Sequence, residues 1–307
     1  MLRTHPEHDP QAVDASRAPD KRTRRRLRSI AMLPTLFTLG NLVCGFFAIV
    51  VAARVMKPDA AVTTPASPID FGSFAFDPTD PAHNFMLSGW LIFFAMIFDA
   101  LDGHVARLTR TAGNFGAQLD SLCDLVTFGV APGFLLVKMV PAFTFSHPQT
   151  IWIIAVIFPI CAAVRLARFN VETNENDDHS KFSGLPSPAA AATIAGFAIL
   201  FYTLRVDYGN ERSVWIDGMM QYAVPFVALA VAVLMVSRIP YPHLVNRLFR
   251  GRKGFGHFVG ILFGLLLLAI IPGYIVPALS LLFVFGPPVL FAIRRVRSPE
   301  PSTESLF

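Results

Sequence analysis

The sequence predicts an all-α, polytopic membrane helix bundle of about eight transmembrane helices with both termini in the cytoplasm. Three observations carry that expectation. Of 307 residues, 53% are hydrophobic and only 15% are charged. The apolar residues gather into runs close to the roughly 20 residues that a helix needs to cross a bilayer. The cations between those runs fall almost wholly on one side.

Residues 1–20 are polar, hold three prolines and show no apolar periodicity, the composition of a disordered tail. KRTRRRLRS follows, with six cations within Lys21–Arg28. Such a run can bind nucleic acid, but directly before a membrane segment it reads as a cytoplasmic anchor for anionic headgroups. The apolar stretch behind it is too long for the core of a cleaved signal peptide. The chain therefore divides into a disordered and basic cytoplasmic tail (1–30), one membrane domain (31–293) and a cytoplasmic C-terminal tail (294–307).

The expected spans are Leu33–Ala53, Asn84–Leu101, Phe115–Val140, Thr150–Phe169, Pro188–Leu204, Met219–Val236, Phe255–Ile271 and Tyr274–Ile293. Pro272 and Gly273 leave only a tight turn between the last two, and Pro277, Pro287 and Pro288 interrupt the eighth. With the N-terminus inside, the cytoplasm receives KRTRRRLRS, Arg107, Arg110, Arg165, Arg168, Lys181, the group Arg238 to Lys253, and Arg294, Arg295 and Arg297. The outside receives Arg54, Lys57, Lys138, Arg205 and Arg212. That asymmetry sets the orientation. The loop from Val55 to His83 is rich in Pro, Thr, Ser and Asp and reads as irregular, and residues 171–180 read as a solvated connector. Ser187-Pro188 has the pattern of an N-cap followed by proline at the first helical position.

Chemistry concentrates between Asp99 and Asp124. LSGWLIFFAMIF runs into Asp99, and FGAQLDSLCDLVTFGVAPGFLLV contains Asp120 and Asp124. Residues three or four apart share a helix face, so Asp99 and Asp102 point one way, as do Asp120 and Asp124. Packed as an antiparallel hairpin, the two helices bring four carboxylates together. An ionised Asp at the centre of a membrane helix costs roughly 2.5–3.5 kcal/mol, and like charges side by side need a counter-charge. Oxygen ligands without Cys or His pairs favour Mg²⁺, Mn²⁺ or Ca²⁺ over zinc, and four carboxylates carry enough charge for two ions.

Gly103, Ala106 and Gly116 are small residues beside these acids. They mark either close helix packing or room for a ligand, and next to four acids the ligand is the better reading. Arg165 and Arg168, one turn apart at the inner end of the fourth span, either snorkel to headgroups or hold a phosphate or carboxylate. Asn41 is an isolated polar residue in the first span, and His104 reads as structural. Cys44, Cys123 and Cys161 lack metal-ligand spacing and count as small hydrophobes. The 29 Phe are lipid-facing and core packing.

Asp99-x2-Asp102-Gly103-x2-Ala106-Arg107-x8-Gly116-x3-Asp120-x3-Asp124 resembles the full signature of the CDP-alcohol phosphotransferases. TLFTLGNLVCGFFAI, QLDSLCDLVTFGVAP, RLARFN and FSGLPSPAAA are similar to the branch formed by the bacterial integral-membrane phosphatidylserine synthases, over roughly Pro34–Ala192. One position departs: relatives often carry Asn after the proline that opens the first span, where this chain has Thr35.

The resemblance implies that Asp99, Asp102 and Asp120 hold divalent metal, Mg²⁺ or Mn²⁺ and two ions, with Asp124 sharing it and acting as general base. It implies a nucleotide site at Asp102, Gly103, Ala106, Arg107 and Gly116, with CDP-diacylglycerol and L-serine as substrates. Arg165 and Arg168 become candidates for the serine carboxylate or lipid phosphate. A homodimer in the bacterial inner membrane, its site facing the cytoplasm, is likewise implied, with membrane lipids and no nucleic acid as partners. The core motif alone leaves other acceptors open: glycerol 3-phosphate, inositol phosphate or choline. A cation-coupled transporter is the reading from another class, disfavoured because the acids sit at the inner ends of adjacent spans and no repeat appears.

Overall fold

A computed structural model describes residues 21–54, 81–109, 114–140, 149–175, 184–208, 213–239, 241 and 255–297. Every regular element among them is helical. In order these are α1 (Lys21–Ala53), α2 (Pro81–Thr109), α3 (Asn114–Leu125), a π-helical turn (Val126–Val130), α4 (Ala131–Met139), α5 (Thr150–Glu175), α6 (Ser187–Tyr208), α7 (Ser213–Val236), α8 (Phe255–Ile270) and α9 (Pro272–Arg297).

Seven stretches are long and apolar enough to cross a membrane: Pro34–Ala53, His83–Ala106, Phe115–Met139, Thr150–Val171, Ser187–Tyr208, Trp215–Val236 and Pro272–Phe291. The remaining expected span, Phe255–Ile271, the seventh of the eight, forms α8, whose 16 described residues are fewer than the roughly 20 of a typical crossing. Three other expectations change. Helix α1 starts at Lys21, so the basic run assigned to the tail is helical, as Lys and Arg readily allow. Helix α5 continues to Glu175, halfway into the expected connector. Helix α9 runs unbroken through Pro277, Pro287 and Pro288. Residues 1–20, most of the loop from Val55 to His83, residues 176–183, the basic group 242–254 and residues 298–307 lie outside the described residues.

Helix α6 is the axis of the bundle, with 72% of its most apolar window buried. Ala190, Ala191, Ile194, Ala195 and Ala198 are fully enclosed, and these mostly small side chains let neighbours approach closely. A Cβ on Gly89 of α2 would stand 2.7 Å from the Ala195 carbonyl oxygen, and one on Gly196 would stand 3.1 Å from Pro277 Cα of α9. Helix α1 packs along α2, where Ser88 Oγ donates to Ala48 O at 2.9 Å.

The segment before α6 is fixed by backbone bonds. Gly184 (φ +95°) sits so close to α7 that a Cβ would lie 2.6 Å from Met235 O. Only glycine fits both that angle and that gap. Leu185 N–H donates to Leu234 O at 3.0 Å, supplying a donor to the last turn of α7, and Gly184 N–H donates to Ile239 O at 2.9 Å, just beyond that helix.

Candidate active site

The acidic site lies where α2, α3 and α5 meet α1 and the start of α6. Oxygens of Asp99, Asp120 and Asp124 fall within 4.8 Å of one another, a grouping that can hold a metal ion. Asp102 stands beside this trio, electrostatically coupled to Asp99 and Asp120, with the Thr38 side chain of α1 against it. Asp102 and Asp124 are buried, at 5% and 7% exposure. Helical spacing therefore does converge Asp99, Asp120 and Asp124, with Asp102 alongside, although α2 and α3 each pack on α1 rather than on each other as the expected hairpin.

Among the described residues, one positive side chain faces them. Arg165 of α5 lies near Asp99 and Asp124, and its Nη1 donates to Ser187 Oγ at 2.9 Å. Arg168 instead turns towards the end of α7, where its Nη1 donates to Val236 O at 3.2 Å. The two arginines that the sequence groups as a pair are thus held differently. Arg107 lies in α2, and its side chain is outside the described residues. Ser187 does open α6, with its hydroxyl on Arg165.

Four carboxylates against one guanidinium leave three negative charges without a cation partner among the described side chains. Two oxygens, Asp102 Oδ2 and Asp120 Oδ1, are buried with no hydrogen-bond donor among the described residues. A buried carboxylate oxygen without a partner carries a large desolvation cost, which a bound cation removes. The donors are all hard oxygen atoms, so the residues present fit Mg²⁺ or Mn²⁺.

The small residues separate by what surrounds them. A Cβ on Gly103 or Gly116 would meet nothing within 4 Å among the described residues, so no described neighbour packs against either. Gly45 of α1 behaves oppositely, since a Cβ there would lie 2.8 Å from Thr127 Cα.

Two features escaped the sequence reading. The first is Asn41, wholly buried, whose Nδ2 donates to Asp124 Oδ1 at 2.9 Å. An amide inside a span is expensive to bury, and that cost was the available signal. The second is the π turn directly after Asp124. Pro132 has no N–H and its ring crowds the carbonyl four residues back, which is Phe128, inside the turn. Widening the helix there relieves the conflict, and such turns recur at functional sites. Thr127, within the turn, donates its hydroxyl to Asn41 O at 3.2 Å.

Residues 31–236, two thirds of the chain, match the CDP-alcohol phosphatidyltransferase family. The chain belongs to that family. Among curated phosphatidyltransferases, it is 37% identical over 162 residues to the CDP-diacylglycerol–serine O-phosphatidyltransferase of Helicobacter pylori, covering 53% of this chain and 63% of the relative. It is 36% identical over 159 residues to the enzyme of the same name from Methanocaldococcus jannaschii, covering 52% and 65%. The archaetidylserine synthase of Methanothermobacter thermautotrophicus is 34% identical over 157 residues, covering 50% and 57%. The chain spans a little under two thirds of the length of these relatives. Its acid cluster lies inside the matched region, as do Asn41, Arg165 and Ser187.

Proposed function

We propose that this chain transfers a phosphatidyl group from CDP-diacylglycerol to L-serine, yielding phosphatidylserine and CMP. The observation that carries the reading is the trio of carboxylate oxygens from Asp99, Asp120 and Asp124 within 4.8 Å, set in a family whose substrates carry a diphosphate. The relatives' names vary in the lipid, diacylglycerol or archaetidyl, but serine stays constant. That supports serine over glycerol 3-phosphate, inositol phosphate or choline.

In the proposed reaction the serine hydroxyl oxygen attacks the phosphorus bearing the lipid, in line with the diphosphate bridge. The new P–O bond forms as the bridging P–O bond breaks, and CMP leaves with that electron pair. The serine proton passes to Asp124, a base held at the site by α3. Asp99, Asp102, Asp120 and Asp124 would hold two divalent ions, Mg²⁺ or Mn²⁺. Bound there, such ions neutralise the diphosphate and the charge that develops on departing CMP. Gly103, Ala106 and Gly116 leave room for the cytidine, and Arg107 supports the acids or the diphosphate. Arg165 and Arg168 are assigned to the serine carboxylate or the lipid phosphate, Arg165 from beside the acids and Arg168 only on leaving the Val236 carbonyl that it bonds. No covalent enzyme intermediate is needed.

The one-sided distribution of Lys and Arg supports a cytoplasmic mouth, cytoplasmic termini and an even number of crossings, eight in this reading; the bacterial inner membrane rests on the family resemblance. The homodimer rests on the family resemblance.

The test is direct. Purified protein receives CDP-diacylglycerol, Mn²⁺ or Mg²⁺, and each alcohol in turn, with CMP release and the lipid product followed. Serine is expected to stimulate CMP release and a chelator to abolish it. Absence of stimulation by serine sinks the acceptor assignment, and ion flux in liposomes without CDP-lipid would restore the transporter reading.

A further inference from the structure

Asn41 is a costly residue for its position. It sits on a membrane-spanning stretch of α1 with no exposed surface, and its Oδ1 has no hydrogen-bond partner among the described residues. A leucine, with the same number of side-chain heavy atoms and the same branch point, would bury no polar group there. Packing between α1 and α3 therefore does not account for an amide here. Its Nδ2, by contrast, is committed to Asp124 Oδ1 at 2.9 Å.

The residue is also held through its backbone. Thr127 Oγ1 bonds the Asn41 carbonyl at 3.2 Å, and Gly45, one turn along, lets the Thr127 backbone press against α1. Asn41, Gly45 and Thr127 thus clamp α1 to the π turn that begins two residues after Asp124. A carboxylate rotates about a broad, roughly two-fold terminal torsion. An N–H fixed on one of its oxygens removes that freedom. Because the donor is neutral, the negative charge stays available, whereas a second cation beside Arg165 would compete with bound metal for it.

We propose that Asn41 is the positioning residue for Asp124, pinning Oδ1 so that Oδ2 is the oxygen offered to the acceptor hydroxyl. The inference rests on the reading of Asp124 as the base for that hydroxyl.

The experiment uses the full chain in phosphatidylglycerol nanodiscs, comparing wild type, Asn41→Leu, Asn41→Ala, Asp124→Asn and the double variant Asn41→Leu/Asp124→Asn. Asn41→Leu is expected to keep the wild-type thermal midpoint or exceed it. Its kcat should nonetheless fall by about 10- to 100-fold, the size of one lost bond to a charged group, with KM for CDP-diacylglycerol within about two-fold. In the Asp124→Asn background the same change should alter kcat by less than about two-fold, because no carboxylate remains to orient. Wild-type kcat in Asn41→Leu, or an equal loss in both backgrounds, overturns the proposal. Asn41→Ala serves as the second variant if leucine is too bulky to fit. Infrared carboxylate bands assigned by difference against Asp124→Asn give a readout free of turnover, and they should shift in Asn41→Leu. If wild type releases no CMP with serine, the proposed function fails, while an unshifted band overturns the role of Asn41 by itself.

Discussion

The bundle buries charge at both ends of α6, in opposite ways. Near Ser187 four carboxylates face a single guanidinium among the described side chains. Near Arg205, eighteen residues further along and about 27 Å away at a rise of ~1.5 Å per residue, the buried guanidinium has a carboxylate partner. Arg205, 5% exposed, places Nη2 2.6 and 2.7 Å from the two oxygens of Asp217. Its guanidinium also lies over the Phe201 ring, 5.0 Å from the centroid. Close by in sequence, Tyr274 donates its hydroxyl to Asp207 at 2.5 Å, tying α9 to the same end of α6. A buried cation with a bidentate carboxylate partner belongs to the fold. A cluster left with surplus charge and orphaned oxygens is waiting for something positive. Burial alone does not distinguish the two regions, but charge balance does.

The sharpest break in that contrast comes from Asp124→Asn. Turnover should drop by roughly 10²–10⁴-fold, the range for loss of a positioned base, while CDP-diacylglycerol binding, measured by titration calorimetry, persists. A near-normal rate would show that the base is wrongly assigned. At the other end, Arg205→Ala should leave KM for CDP-diacylglycerol unchanged in the folded fraction and destabilise the protein by about 3–5 kcal/mol, because Asp217 is stranded. Replacing both partners with apolar residues should recover most of that loss. If Arg205→Ala instead changed KM with no fall in thermal midpoint, the pair would have to be counted with the site.

A metal titration sets the two ends against each other at smaller scale. Ligand that binds only the folded protein stabilises it by about 2.7 kcal/mol at 100 times its Kd. Mn²⁺ should therefore raise the thermal midpoint of wild type and of Arg205→Ala alike. It should do little for Asp120→Asn, which loses an oxygen of the trio. An equal rise in all three would place the cation elsewhere.

These distinctions were unequally legible in the sequence. Asp99, Asp102, Asp120 and Asp124 announce themselves because their spacing is local and helical geometry fixes which way they point. The bond from Asn41 spans 83 residues, and no local rule pairs an amide in one helix with an acid in another. Arg205 counted as an outside charge, yet the rule that placed it concerns loops and says nothing of burial against Asp217. Arg165 and Arg168 looked equivalent because they share a face. Their separation lies in partners far along the chain, Ser187 for Arg165 and the Val236 carbonyl for Arg168, which no local spacing reveals. The π turn was hidden for a related reason: Pro132 signals strain, but whether a helix kinks, breaks or widens depends on what packs against it.

The smallest expected effect is also the most discriminating, because its sign depends on place. Alanine is better than glycine inside a helix by about 1 kcal/mol, so Gly→Ala should stabilise wherever a methyl has room. At Gly116 a Cβ meets nothing within 4 Å among the described residues, and Gly116→Ala should hold or raise the thermal midpoint. The added methyl faces the space assigned to the cytidine, so KM for CDP-diacylglycerol should rise in the same variant. At Gly45 the Cβ would stand 2.8 Å from Thr127 Cα, a backbone contact that cannot swing aside, so Gly45→Ala should lower the midpoint. A stability gain paired with weaker substrate binding at Gly116 means that the fold tolerates a side chain there and the ligand does not. Lower midpoints in both variants would instead return Gly116 to helix packing and remove the open face from the acid site.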